Sequence, residues 1–177
     1  RKYIISMEKN NILNREIKNI NSIIDLGCGI GYSTAMLKQM YPDKKIIGTN
    51  LKDTEQYRFC EEMGKNYNFE LFNSEHDLSQ KIDLVFASEY FEHIFDAPIN
   101  IKRLIGELEP EYLYLANTFS QTSIGHFNYY KINMGLFTSI IENKKTSKIF
   151  NSVLKDNGYV KVETGLWNDR PNFWKKK

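Results

Sequence analysis

Ile23-Ile24-Asp25-Leu26-Gly27-Cys28-Gly29-Ile30-Gly31 is the stretch whose reading decides the fold. An apolar β-type run ends on an acidic residue and enters three glycines at alternate positions. Tyr32 to Tyr41 follows as a helix. Strand, glycine loop and helix N-terminus together make a cradle for a nucleotide-like ligand. Glycine lets the backbone turn sharply and lets a ligand approach where a Cβ would clash. The spacing is not the dinucleotide pattern G-x-G-x-x-G, whose third glycine would fall at Tyr32.

Outward from this loop the chain alternates. Residues 8–20 carry Ile12, Leu13, Ile17 and Ile20 at roughly helical spacing, predicting an amphipathic helix ahead of a first strand at 23–27. The helix at 31–41 stops at Pro42. A second strand runs from Lys45 to Asn50, and a helix from about Thr54 to Met63 closes on Gly64 as its C-cap. Asn68 to Phe72 and Ile82 to Ala87 are the third and fourth strands. Pro98 to Leu108 is a helix with proline in its first turn, and Tyr112 to Ala116 is the fifth strand. Ile132 to Asn143 is expected as an extra helix or irregular cover. Ser147 to Asp156 is a helix capped by Asn157-Gly158, and Tyr159 to Thr164 and Pro171 to Trp174 are the last two strands. Strands alternating with helices at this rhythm predict an α/β fold with a doubly wound, Rossmann-like parallel sheet.

Composition narrows the setting. The 177 residues suffice for one α/β domain with a real core, so 1–177 is read as a single domain. A hydrophobic content of 41% is slightly low for a globular chain but compatible with one. A net charge of +2 does not call for a nucleic-acid partner. Cys28 and Cys60 form neither a disulfide framework nor a zinc pattern, and a reduced, cytoplasmic setting is the default expectation. No apolar run approaches the ~20 residues of a membrane span. No signal-peptide pattern is seen, and the chain opens on Arg1 rather than Met, as a trimmed sequence would.

The form Asp-x-Gly-x-Gly-x-Gly resembles the first motif of class I S-adenosylmethionine (SAM)-dependent methyltransferases. Ile82-Asp83-Leu84-Val85-Phe86-Ala87-Ser88-Glu89-Tyr90-Phe91-Glu92-His93 resembles the F-D-L-V-x-x-x-x-x-x-E-H segment of many small-molecule members. The resemblance covers about residues 20–177. It implies a seven-stranded, mostly parallel sheet with an antiparallel last strand, SAM as cofactor, and methyl transfer. The connection from Thr118 to Lys145 is its least family-like part. By this resemblance Asp25, Gly27, Cys28, Gly29 and Gly31 meet the methionine and ribose portions of SAM. Asn50 stands where the family commonly places an acidic residue on the ribose hydroxyls. An amide oxygen still accepts there, but gives up about 1 kcal/mol of charge-assisted strength. Asn50→Asp is accordingly expected to be tolerated, or to tighten SAM binding. Leu51 packs on the adenine face or is ordinary core. In the polar turn Asn73-Ser74-Glu75-His76-Asp77, Ser74 and Glu75 meet the adenine amino group or belong to a solvated loop, and His76 is a surface residue. Ser88 and Glu89 lie beside the methyl donor, beyond the carboxyl end of the fourth strand.

In methyl transfer the cofactor carries the reactivity and the protein supplies alignment. An oxygen or nitrogen acceptor also needs a base. His93 and His126 are the candidates, because the resemblance brings both loops to one rim of the sheet. The alternative for His93 is a helix-start residue satisfied by Glu89. Tyr129 and Tyr130 are candidate substrate contacts, with core packing the alternative. Glu89-x-x-Glu92-His93 with His126 also resembles the metal set of small-RNA 3′-terminal 2′-O-methyltransferases. Glu-His after the fourth strand is, however, widespread in metal-independent members, so no metal is expected. Lys144-Lys145 and Lys175-Lys176-Lys177 are suited to an anionic substrate. The favoured reading is O-methylation of a small polar acceptor, such as a sugar or phosphoryl-type precursor of a surface polysaccharide (capsule). The alternatives are metal-assisted RNA 2′-O-methylation and a non-catalytic methyltransferase-like partner subunit, which Asn50 favours and the intact glycine loop opposes.

Overall fold

Along the strand that carries the glycine loop, Ile23 and Ile24 point to opposite sides because side chains alternate in a strand. Both are fully buried, so this strand is covered on both faces. The computed structural model describes residues 2–121, 123–134, 137–166 and 171–177. Nine strands are described: β1 (Ser22–Leu26), β2 (Lys45–Thr49), β3 (Glu70–Phe72), β4 (Leu84–Ser88), β5 (Tyr112–Ala116), β6 (Tyr129–Met134), β7 (Phe137–Glu142), β8 (Tyr159–Val162) and β9 (Asn172–Lys176). The six α-helices described are α1 (Lys2–Lys9), α2 (Asn11–Ile17), α3 (Tyr32–Met40), α4 (Glu55–Tyr67), α5 (Ala97–Leu108) and α6 (Asn143–Asp156).

Seven strands form one sheet in the order β3-β2-β1-β4-β5-β9-β8. The β1–β2, β1–β4, β2–β3 and β4–β5 pairs are parallel, and β9 runs antiparallel to both β5 and β8. This is the expected seven-stranded sheet with its antiparallel last strand. Two apolar layers cover it. On one face Ile24, Leu26, Val85, Leu113 and Trp174 pack with Ile101, Leu104 and Leu108 of α5 and Phe150 and Leu154 of α6. On the other, Ile23, Ile46, Leu84, Phe86, Tyr114 and Phe173 pack with Ile4 and Met7 of α1, Leu13 and Ile17 of α2, and Leu37 of α3. Among the described residues no helix is long and apolar enough to cross a membrane.

Beyond shifts of one or two residues at strand ends, four elements differ from expectation. The helix predicted over 8–20 is two helices, because the Asn10 side chain caps α2 by accepting from the Ile12 and Leu13 amides. The helix expected to end at Gly64 continues to Tyr67, and Asn68, left-handed at φ 59°, is its cap. Gly64 is needed for another reason: a Cβ there would lie 3.0 Å from the Phe69 carbonyl oxygen. In the stretch predicted from Ile132 to Asn143, the described residues 132–134 and 137–142 are strand, neither helix nor irregular cover. They belong to the antiparallel β6–β7 pair, whose register places Tyr130 opposite Ile141 and Ile132 opposite Ser139. Finally, α6 begins at Asn143, four residues ahead of the predicted Ser147.

Candidate active site

The sheet order reverses between β1 and β4, and ligands of such sheets bind beyond the strand ends at that reversal. A cleft of about 460 Å³ opens there. Its lining comes from the loops after β1, β2, β3 and β4 and from α5: Gly27, Thr49, Asn50, Leu51, Asn73, Ser74, Glu75, His76, Glu89, Tyr90, His93, Ile94 and Asn100. The expected cofactor residues Gly27, Asn50, Leu51, Ser74, Glu75 and Glu89 thus come together. Leu51 is exposed, so the alternative of ordinary core does not hold.

Asp25, Cys28, Gly29, Gly31 and Ser88 do not line the cleft. Asp25 is buried, and its Oδ2 accepts from Ser33 Oγ at 2.6 Å and Thr34 Oγ1 at 2.7 Å. Its place is to tie β1 to the first turn of α3. Burial pushes its carboxyl up to about 6, against the two hydroxyl hydrogen bonds. Cys28 is also buried, with its Sγ 3.4 Å from Cys60 Sγ. The three loop glycines have different neighbours. At Gly27 a Cβ would strike the Tyr90 ring at 2.6 Å, and at Gly31 it would crowd Cys60, Phe69 and Met63. At Gly29, φ +58°, a Cβ meets nothing within 4 Å. The Asn50 amide crosses to the loop, donating from Nδ2 to the Gly29 carbonyl at 2.7 Å.

Opposite the loop, Glu75 is buried and its Oε1 accepts from Tyr90 Oη at 3.0 Å and Asn100 Nδ2 at 3.4 Å. Burial and the Glu75 carboxylate hold the Tyr90 phenol above its ordinary range. His76 is half-buried and pairs with Glu107, so it is held rather than free.

At the rim, His93 Nδ1 lies 3.0 Å from the Gly125 carbonyl and His126 Nδ1 lies 3.1 Å from the Gln121 carbonyl. A carbonyl only accepts, so Nδ1 donates in both rings, which in the neutral imidazole leaves Nε2 as the acceptor. The two rings meet edge to face with centroids 4.8 Å apart. The expectation that both histidines share one rim therefore holds, although only His93 reaches the cleft. Gly125 makes this possible: at φ +83°, its Cβ position lies 2.9 Å from His93 Nδ1. Beneath them Glu92 is fully buried, with Oε1 accepting from the Thr118 amide at 2.9 Å. Its carboxyl is raised by burial and by the Glu89 charge. Tyr130, expected as a substrate contact, is core instead. It is fully buried, and its hydroxyl donates to the Glu92 carbonyl at 2.8 Å. Tyr129 is exposed on the neighbouring position of β6.

No protein-family model matches the chain. In sequence it is similar to the malonyl-[acyl-carrier protein] O-methyltransferase of Acetivibrio thermocellus, 29% identical over 125 residues, or 67% of this chain and 43% of that protein. In structure it is similar to WbdD, solved with the kinase inhibitor LY294002, at a TM-score of 0.61 and 16% identity, covering 99% of this chain and 40% of WbdD. It is also similar to the N-terminal domain of EvdMO1, solved in the presence of S-adenosylhomocysteine (SAH) and D-fucose, at a TM-score of 0.59 and 15% identity, covering 88% of this chain and 75% of that one. The curated relatives are methyltransferases, and structures that share this fold are solved with SAH bound, consistent with a class I SAM-dependent methyltransferase. The methyltransferase resemblance read from the glycine loop and the Glu-His segment agrees with these relatives. The match spans less than half the length of the curated relative.

At this site, sequence reasoning missed Tyr90, Thr49 and Asn100. Tyr90 spans the cleft from Gly27 to Glu75. Thr49 Oγ1 accepts from the Gly27 amide at 3.3 Å. The signal for Tyr90 was present: it sits between Glu89 and the Glu-His pair. Its partners, however, come from two other loops.

Proposed function

We propose that this domain moves the methyl group of SAM to an oxygen of a small polar acceptor, a sugar or phosphoryl-type precursor of a surface polysaccharide made in the cytoplasm. The observation that carries the reading is the cleft at the β1–β4 reversal, bounded on one side by the glycine loop and on the other by the His93 rim. Leu51 and Glu75 suit an adenine, Asn50 a ribose, and the loop around Gly29 the methionine portion. The bond that breaks joins the methyl carbon to sulfur, and its electron pair stays on sulfur, leaving SAH. The bond that forms joins the same carbon to the acceptor oxygen. The acceptor proton goes to His93 Nε2, whose lone pair is free because Nδ1 donates to Gly125. Tyr129, exposed on β6, is the side chain assigned to the acceptor. The D-fucose in the EvdMO1 experiment supports the sugar class by likeness of fold.

The test is methyl transfer from labelled SAM to a panel of sugars and sugar phosphates, with SAH binding followed by calorimetry. Saturable SAH binding and label in a sugar product are expected. His93→Ala should lower turnover by about 10²–10⁴-fold with SAH affinity unchanged. A chain that binds no SAH, or full turnover in His93→Ala, would overturn the reading.

A further inference from the structure

Below the His93 rim, Glu92 presents an unusual situation. Its carboxylate is fully buried, Oε1 is satisfied by the Thr118 amide, and Oε2 has no hydrogen-bond partner among the described residues. A buried carboxylate oxygen without a partner costs free energy unless a ligand satisfies it. Ligating atoms of Glu89, Glu92 and His126 all lie within 4.8 Å of one another. That spread is close to the ~4.2 Å between trans ligands of an octahedral Mg²⁺. Glu89 is held there by a left-handed backbone, φ 57°, with its amide bonded to the Ala116 carbonyl. A non-glycine residue in that conformation is strained, and such strain concentrates at functional sites. His126 already has the form a metal ligand needs: Nδ1 donates to the Gln121 carbonyl and Nε2 offers its lone pair. Two carboxylates and one neutral imidazole make an anionic site of mostly oxygen donors, which suits a hard divalent ion.

We propose that Glu89, Glu92 and His126 bind a divalent cation of the magnesium–manganese class beside the methyl-transfer cleft. This replaces the sequence expectation of no metal. The use of the ion rests on the methyl-transfer reading. Glu89 lines the cleft, so a cation on it reaches an acceptor hydroxyl or phosphoryl oxygen, lowers the hydroxyl pKa and orients it toward the methyl group. His93 lies outside the ligand set and remains the proton acceptor.

The test uses Mn²⁺ alone as the probe, titrated into the chelator-treated full chain by calorimetry and followed by electron paramagnetic resonance. One saturable Mn²⁺ site is expected. Glu92→Gln and His126→Ala should each weaken it at least about tenfold, the loss known for less direct changes around metal ligands. His76→Ala, which touches a different carboxylate pair, should leave it unchanged. Because Glu92 is buried, far-UV circular dichroism checks that its variant folds. His126→Ala, on a partly exposed loop, tests the site independently. No saturable Mn²⁺ binding, or wild-type binding in His126→Ala, would sink the proposal. SAH titration of the same samples separates the two readings: SAH binding without Mn²⁺ binding removes the cation alone, and the converse removes methyl transfer alone.

Discussion

Asn50 carries two hydrogen bonds of opposite sense. Its Nδ2 donates to the Gly29 carbonyl at 2.7 Å, and its Oδ1 accepts from the Leu51 amide at 2.9 Å. An aspartate would keep the second bond and lose the first, setting a carboxylate oxygen against a carbonyl oxygen. The sequence reading considers only the ribose, for which a carboxylate is the stronger acceptor. The structure adds a donor task that a carboxylate cannot perform, so the expectation for Asn50→Asp reverses. SAH affinity should fall by about fivefold, the equivalent of the ~1 kcal/mol of one hydrogen bond. Calorimetry on the folded variant measures this directly, and unchanged or tighter binding would return Asn50 to the ribose role alone. The position of Asn50 was legible because it ends an apolar strand. Its partner was not, because the direction of the Gly29 carbonyl depends on a left-handed glycine, φ +58°, that only coordinates reveal.

Between elements, Asp25 does the comparable work. It joins the end of β1 to Ser33 and Thr34 at the start of α3. Its folded pKa of about 6 lies above the ordinary 3.8. Below about pH 4 both folded and unfolded chains hold the proton, and burial of Asp25 carries no ionisation cost. As pH rises toward 6 the unfolded chain loses the proton first, so stability falls across that window. The full cost, about 3 kcal/mol, is in place above the folded value. An amide still accepts from both hydroxyls without charge, so Asp25→Asn should flatten this part of the profile. Urea unfolding at pH 4, 5, 6 and 7 measures it; an unaltered slope in the variant would show that Asp25 is not its source. Elements of this kind were legible where the pattern was strong. The glycine loop and the apolar runs of β1, β4 and β5 left little choice. The β6–β7 pair was not read, although Tyr130 and Ile132 alternate with Tyr129 and Lys131 at strand period. Phe137 and Ile140 are exposed on its second strand, so no clean apolar face marked it in the sequence. The break at Asn10 was hidden for a different reason: a capping asparagine inside a helical apolar pattern looks like a polar-face residue.

At the scale of the molecule, four separate loops meet only because the strand order reverses between β1 and β4. The sequence named residues in each loop, since each follows a strand it could recognise. It could not name the side chains that join one loop to another. Tyr90 to Glu75, Asn100 to Glu75 and Thr49 to Gly27 are contacts between distant segments, and nothing local encodes them. A cofactor seated at this junction holds all four loops at once. Its binding energy therefore belongs to the folded state as a whole, and the unfolded chain has no equivalent site. Stabilisation then follows RT ln(1 + [L]/Kd), about 2.7 kcal/mol at a hundredfold excess over Kd. For a chain of 177 residues, each kcal/mol moves the midpoint by about 2–4 °C. Saturating SAH should therefore raise the melting temperature by about 5–11 °C, with the rise continuing logarithmically as SAH increases. Gly29→Ala should reduce the shift at fixed SAH, because on the proposed reading the loop around Gly29 meets the methionine portion and a Cβ at this open, left-handed position intrudes on that approach. Its own unliganded midpoint is the reference, which removes the 1–2 kcal/mol strain of a left-handed alanine from the comparison. Differential scanning calorimetry across an SAH series decides the matter: a midpoint that stays fixed as SAH rises would mean the cleft is not the cofactor site.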